Sequence, residues 1–167
     1  GQNAVMVQHL NGNATDSTSN NTDGTIIGTT SNTTPLGAGL DFDGNNDYIE
    51  LNSNPLSNGT EITYVSYIKT DNDHNGVIVT DDVSDNNSDR ASLKKKSGGE
   101  FNFNLATNRT LSTSSVSNNE FHQVAATYDN LSAKIFLDGS QSDSDTRSVS
   151  VGGNDLEIGR GPFDLNY

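Results

Sequence analysis

Apolar residues in this chain come in short clusters, bounded by Gly, Asn, Asp or Ser, and within the clusters they tend to alternate with polar positions. That spacing predicts β-strands, because successive side chains of a strand point to opposite faces of a sheet. The alternation is clearest in Ile62-Thr63-Tyr64-Val65-Ser66-Tyr67-Ile68 and in Lys134-Ile135-Phe136-Leu137-Asp138. Read along the chain, strands fall at Ala4 to Leu10, Thr25 to Gly28, Gly39 to Phe42, Tyr48 to Leu51, Ile62 to Thr70, and Gly76 to Thr80. Further strands follow at Arg90 to Lys95, Glu100 to Ala106, Phe121 to Tyr128, Ala133 to Asp138, and Leu156 to Ile158.

Asp129-Asn130 links two of these runs as a hairpin loop, and Asp138-Gly139 has the chemistry of a tight turn. Four stretches rich in Ser and Asn read as loops: Asn11 to Asp23, Ser84 to Asp89, Leu111 to Asn119, and Ser140 to Ser148. They are too short to be linkers between domains. Many short strands at this spacing imply an all-β, antiparallel two-sheet sandwich or barrel rather than a parallel α/β sheet. The 167 residues fit one domain with one sizeable core.

Composition narrows the picture. Only 30% of residues are hydrophobic, so the chain folds only if most of them point into one thin core. The net charge is -13, with the acid mostly Asp and lysines only at Lys69, Lys94, Lys95, Lys96 and Lys134. Such a surface repels nucleic acid and anionic membranes, and it suits a high-salt, halophilic setting. There is no cysteine, hence no disulfide framework and no thiolate metal site; that absence tilts towards a prokaryotic source. No apolar run is long enough to insert into a bilayer.

Four segments, in order, resemble the laminin-G-like (concanavalin A-like) jelly-roll family. Asp16 to Thr25 resembles its early Asp-Ser-x-Gly-Asn-x-x-x-Gly-Thr loop. Gly39-Leu40-Asp41-Phe42-Asp43-Gly44-Asn45-Asn46-Asp47-Tyr48-Ile49 is similar to its Leu-x-Phe-Asp-Gly-x-x-Asp-Tyr-Val strand pair. Phe121 to Asp129, followed by Lys134 to Gly139, resembles its Trp-His-His-Val-Ala-x-Thr-Tyr-Asp hairpin, and Leu156-Glu157-Ile158-Gly159 its Leu-x-Ile-Gly strand. Phe42, Tyr48, Phe121, Val124, Tyr128, Ile135 and Leu137 are the bulky groups expected to face the core.

Two departures accompany the likeness. The family's usual Trp at the start of the late hairpin is Phe121, and the chain stops at Phe163-Asp164-Leu165-Asn166-Tyr167, where a last strand would begin. The resemblance implies a single laminin-G-like β-sandwich domain over residues 1–167, lacking the family's last C-terminal strand. It implies a binding or adhesion module at the cell surface, for a glycan or another surface polymer. The alternative is a structural subunit of an extracellular filament, pilus or surface layer, in which copies assemble by strand donation. Strand donation would use the first strand, Ala4 to Leu10, left unpaired.

The residues predict no enzyme. Glu50, Glu61, Glu100, Glu120 and Glu157 form no Glu-x-Asp-x-x-Glu strand, which would set paired carboxylates about a glycosidic bond. His9, His74 and His122 have no zinc-type spacing. A structural calcium ion is the most credible chemistry, since the ion takes hard oxygens from loops of Asp and Asn, and many domains of the family hold one. The ligand sets would be Asp16, Asn20 and Asp23 in the first loop, and Asp43, Asn46 and Asp47 in the second. The same residues also read as ordinary turn formers.

Lys94-Lys95-Lys96 reads as lysines guarding an exposed strand edge more readily than as a docking patch for an anionic glycan. Tyr48, Tyr64, Tyr67 and Tyr128 read as core or cross-strand pairs more readily than as a sugar-stacking platform. Sequons at Asn13, Asn20, Asn32, Asn58, Asn86, Asn108 and Asn130 are compatible with a surface glycoprotein.

Overall fold

The computed structural model describes residues 4–56, 61–70, 74–81, 91–106, 109–151 and 155–160. Its strands are β1 (Gly24–Ile27), β2 (Thr30–Thr34), β3 (Gly37–Asp41), β4 (Tyr48–Leu51), β5 (Glu61–Lys69), β6 (Gly76–Thr80) and β7 (Ala91–Lys95). They continue with β8 (Phe101–Leu105), β9 (Arg109–Ser112), β10 (Phe121–Asp129), β11 (Ser132–Leu137), β12 (Ser140–Thr146) and β13 (Glu157–Ile158), and no helix occurs among the described residues. An antiparallel seven-stranded sheet runs β1-β4-β13-β6-β7-β8-β9, and a four-stranded sheet runs β12-β11-β10-β5. A separate ribbon pairs β2 with β3. This is the all-β sandwich that the alternation predicts.

The core lies between the two sheets. Ile49, Leu51, Leu93, Phe101, Phe103 and Leu105 come from the larger sheet and meet Ile62, Tyr64, Val124, Ala126, Tyr128, Ala133 and Ile135 from the smaller. Each large apolar side chain withdrawn from water stabilises the fold by about 1.5–3 kcal/mol. Tyr64 meets Phe103 edge-on, with centroids 6.2 Å apart, and its hydroxyl donates to the carbonyl of Ala91. Burial pushes the Tyr64 hydroxyl pKa well above its usual value, and the nearby Asp81 adds to the effect.

At the β9 end, buried Arg109 staples the sheets together. Its guanidinium donates to the carbonyls of Arg147 and Asp145 and pairs with the Asp145 carboxylate at 2.8 Å. Its cationic carbon sits 5.6 Å from the centre of the Tyr128 ring.

Three expectations need correction. Ala4 to Leu10 is not a strand; its one bridge pairs Gln8 with Asp16. The loop that follows takes its backbone groups instead: Val7 N–H donates to Asp16 Oδ1 and Asn20 Nδ2 donates to Val5 O. Met6 and Leu10 nevertheless pack against the core, and Ala14 is part of it.

Next, β12 forms inside a stretch read as a loop, β9 runs into another at Leu111 and Ser112, and β2 forms where no strand is expected. The Asp138-Gly139 turn, with φ of 49° and 80°, has the left-handed pair of a tight hairpin and launches β12 directly.

Finally, Tyr48 and Phe121 lie on the outer faces rather than in the core, by their pairing with Ile27 and Lys69. Val124, Tyr128 and Ile135 are buried as expected, with Phe42 and Leu137 packed against them. The loop Ser84 to Asp89, the tail Phe163 to Tyr167, and Asn58, Asn86 and Asn108 lie outside the described residues.

Candidate functional site

Register in the larger sheet brings together residues that are far apart in sequence. Thr25 lies opposite Glu50, Glu50 opposite Glu157, Glu157 opposite Thr80, Thr80 opposite Ser92, Ser92 opposite Asn104, and Asn104 opposite Thr110. One polar row thus crosses all seven strands. It faces outward, because the neighbouring positions Ile49, Leu51, Leu93, Phe103 and Leu105 turn into the core.

Depth varies along the row. Thr25, Glu50 and Thr110 are exposed, whereas Glu157, Thr80 and Ser92 in the middle are buried. A parallel row carries Tyr48, Lys94, Asn102 and Ser112.

The chemistry of this face is that of a hydrogen-bonding surface. Thr110 Oγ1 donates to Asn104 Oδ1 at 2.9 Å. Among the described residues, Ser92 Oγ and Asn102 Oδ1 are buried with no hydrogen-bond partner, a costly state.

Glu157 is held by Arg160, whose Nε donates to Oε2 at 2.6 Å and whose second nitrogen bonds Oε1. Arg160 in turn lies 3.6 Å from the centre of the Tyr48 ring. The hydrogen bond to Glu157 raises the Arg160 pKa further still, so the arginine stays cationic. The result is a fixed stack of ring, guanidinium and carboxylate beside the row.

The expected calcium residues form two groups at opposite ends of the β1–β4 pair, since Gly24 faces Leu51 and Ile27 faces Tyr48. In the first loop, Asp16 is an organiser. Its Oδ1 accepts from the amides of Val7 and Thr18, and its Oδ2 from the Thr18 hydroxyl and the Thr22 amide. Burial raises its pKa, but these hydrogen bonds outweigh that and bring it down to about 2.

Asp23 Oδ1 accepts from the Asp16 amide, and Asn20 is spent on Val5. In the second loop, Asp43 N–H donates to Asp47 Oδ2, and Asn45 N–H to Asp43 Oδ1. Asp47 Oδ1 sits over Gly28, where a Cβ would meet it at 1.9 Å and where φ is +81°. Asn46 is exposed.

Among the described residues no three His, Asp or Glu side chains converge on a metal position.

The basic run is dispersed as well. Lys94 is on the outer face, Lys95 is buried and bonds the carbonyl of His74 at 2.8 Å, and Lys96 is exposed. Strand β7 lies inside the sheet, so these lysines guard no edge. The four tyrosines are split: Tyr64 and Tyr128 are core, while Tyr48 and Tyr67 lie on opposite outer faces. Sequence reasoning missed the polar row, whose only signal is register.

A family profile described as the concanavalin A-like lectin/glucanases superfamily matches residues 43–167. No curated protein sequence matches the chain. Among solved structures, the chain is similar to domain 4 of AbnA, a GH43 extracellular arabinanase from Geobacillus stearothermophilus, in complex with arabinotriose. That match has 16% identity and a TM-score of 0.73, covering 95% of this chain and 84% of that one.

The carbohydrate-binding module CBM66 from Bacillus subtilis matches at 17% identity and a TM-score of 0.53, covering 81% of this chain and 87% of that one. The botulinum neurotoxin serotype G binding domain matches at 15% identity and a TM-score of 0.69, covering 98% of this chain and 45% of that one. At these identities the likeness is one of fold.

Proposed function

This chain belongs to the concanavalin A-like lectin/glucanases superfamily, and from that premise we propose that it is a non-catalytic, extracellular module that binds a glycan. The glycan meets the accessible ends of the polar row of the seven-stranded sheet. The observation that carries this reading is the row itself, a single cross-strand line of polar side chains that reaches the surface at Thr25, Glu50, Asn104 and Thr110 and is buried at Glu157, Thr80 and Ser92. A sugar offers hydroxyls that both donate and accept, and carboxylates, carboxamides and hydroxyls match them. Two similar folds are named as binding carbohydrate, one as a carbohydrate-binding module and one in complex with arabinotriose.

The row contains a carboxylate pair, Glu50 opposite Glu157. Hydrolysis would use both, one as acid and the other as nucleophile or base, and both Glu157 oxygens are taken by Arg160. That supports binding without turnover. The test is a glycan array with the full chain, followed by titration of the hits against Glu50→Ala and Asn104→Ala. Loss of affinity in both variants supports the row. Unchanged affinity, or cleavage of a bound glycan, overturns the reading.

A second reading, the filament subunit, draws on one feature. Among the described residues β5 is a nine-residue edge strand of the smaller sheet, and such an edge accepts a strand from elsewhere. Electron microscopy of the concentrated chain separates the two, since only strand donation gives fibres. Structural calcium at the second loop is a further proposal. Its test is thermal melting with calcium against chelator at matched ionic strength, where coincident midpoints would dismiss it.

A further inference from the structure

The outer face of the four-stranded sheet carries a pattern of its own. Val65, Ala125 and Phe136 form its middle row, Val65 opposite Ala125 and Ala125 opposite Phe136. To one side lie Tyr67 and Gln123, with Asp138 joined to Gln123 by two hydrogen bonds of 2.9 Å. To the other lie Thr63, Thr127 and Lys134. The end rows are Lys69 with Phe121, and Glu61 with Asp129. Val65 is 63% exposed and Tyr67 44%.

We propose that this face packs against the same face of a second copy of the chain, about a two-fold axis running along the middle row. That axis sets the facing strands antiparallel. Val65 then meets its own copy, Lys69 meets Glu61 of the other chain, and Lys134 meets Asp138. A two-fold interface must be complementary to itself, and here Lys69 and Lys134 each meet an acid about an apolar centre, while Asp129 meets Phe121.

That charge pattern is what selects a second copy as the partner. The chain carries -13, and two of its five lysines stand on this face, each mirrored by an acid. Two sheets pack face to face about 10 Å apart with strands within about 30° of each other, which long side chains span. Strands of nine residues spaced about 4.8 Å apart give a footprint of roughly 400–600 Å² per chain. That is small for a stable dimer, so the dissociation constant belongs in the micromolar range. The two polar rows would point away from each other, making the pair bivalent for an extended ligand. The proposal stands apart from the glycan reading, since it uses the opposite face.

The test is sedimentation velocity of the full chain over a concentration series, with melting curves to show that each variant is folded. The expected mass at high concentration is twice the 17.8 kDa of one chain. Val65→Asp places two carboxylates on the axis and is expected to leave a folded monomer. Lys69→Glu is expected to weaken the dimer about tenfold, and adding Glu61→Lys is expected to restore it. A monomer at about 1 mM, or a dimer indifferent to Val65→Asp, overturns the proposal. So does a charge swap without rescue, or a foreign protein or glycan holding this face on a monomeric chain.

Discussion

The two outer faces of the sandwich are built by the same alternation and end in opposite chemistry. Behind each lies the shared core, so inward positions on both sheets are mostly Ile, Leu, Val, Phe, Tyr or Ala. The outward positions of the larger sheet are Thr, Ser, Asn and Glu in a row across seven strands. Those of the smaller sheet centre on Val65, Ala125 and Phe136, with Tyr67 stacked on Phe121 at 5.1 Å. An inward position is chosen by the need to exclude water. An outward one is free of that need, so its residue type reports what the face meets. Hydroxyl-matching groups fit a sugar, and an apolar centre with mirrored charges fits a copy of itself.

The contrast supposes that one rigid body presents both faces, and Arg109 is where it breaks most severely. Arg109→Ala leaves the carbonyls of Asp145 and Arg147 without their buried donor and removes one of the two arginines paired with the Asp145 carboxylate. The expected loss is about 3–5 kcal/mol, read by denaturant unfolding.

Asp16→Asn acts at one end of the larger sheet only. It removes charge from four accepted hydrogen bonds and is expected to cost about 2–4 kcal/mol while leaving the smaller sheet's face intact. Because the Asp16 pKa falls from 3.8 to about 2 on folding, its contribution is complete above pH 4. It fades as the pH drops from 3.8 through 2. Wild-type stability measured over that window should fall faster than that of Asp16→Asn.

The faces themselves separate at smaller effects. Glu50→Ala or Asn104→Ala should weaken glycan binding about tenfold with little change in melting. Tyr67→Thr should do the reverse, costing about 0.5–1.5 kcal/mol through the lost Phe121 stack and leaving glycan affinity unchanged. A common effect of all three on binding would dissolve the contrast.

Much of the fold was legible because its core strands keep strict alternation: β5 and β10 each place a large residue inward at every second position in part of their length. Strand β12 was not, because Ser140 to Thr146 is polar on both sides and almost wholly exposed. It is a strand by virtue of the turn before it and the pairing with β11. Ala4 to Leu10 failed for the opposite reason, since its apolar residues promised a strand whose backbone partners are loop side chains. Phe121 and Tyr48 show that an aromatic residue in a strand does not say which face is inside. The polar row could not be read at all, because Thr80, Ser92 and Asn104 are unremarkable within their own strands and gain meaning only from pairing.

The most direct test of the account is an amide NMR titration of the full chain with a glycan selected on an array. The prediction is that shifts concentrate at Thr25, Glu50, Asn104 and Thr110, while Val65, Tyr67, Phe121 and Phe136 stay still. Shifts confined to the smaller sheet's outer face, with the polar row unmoved, would contradict it.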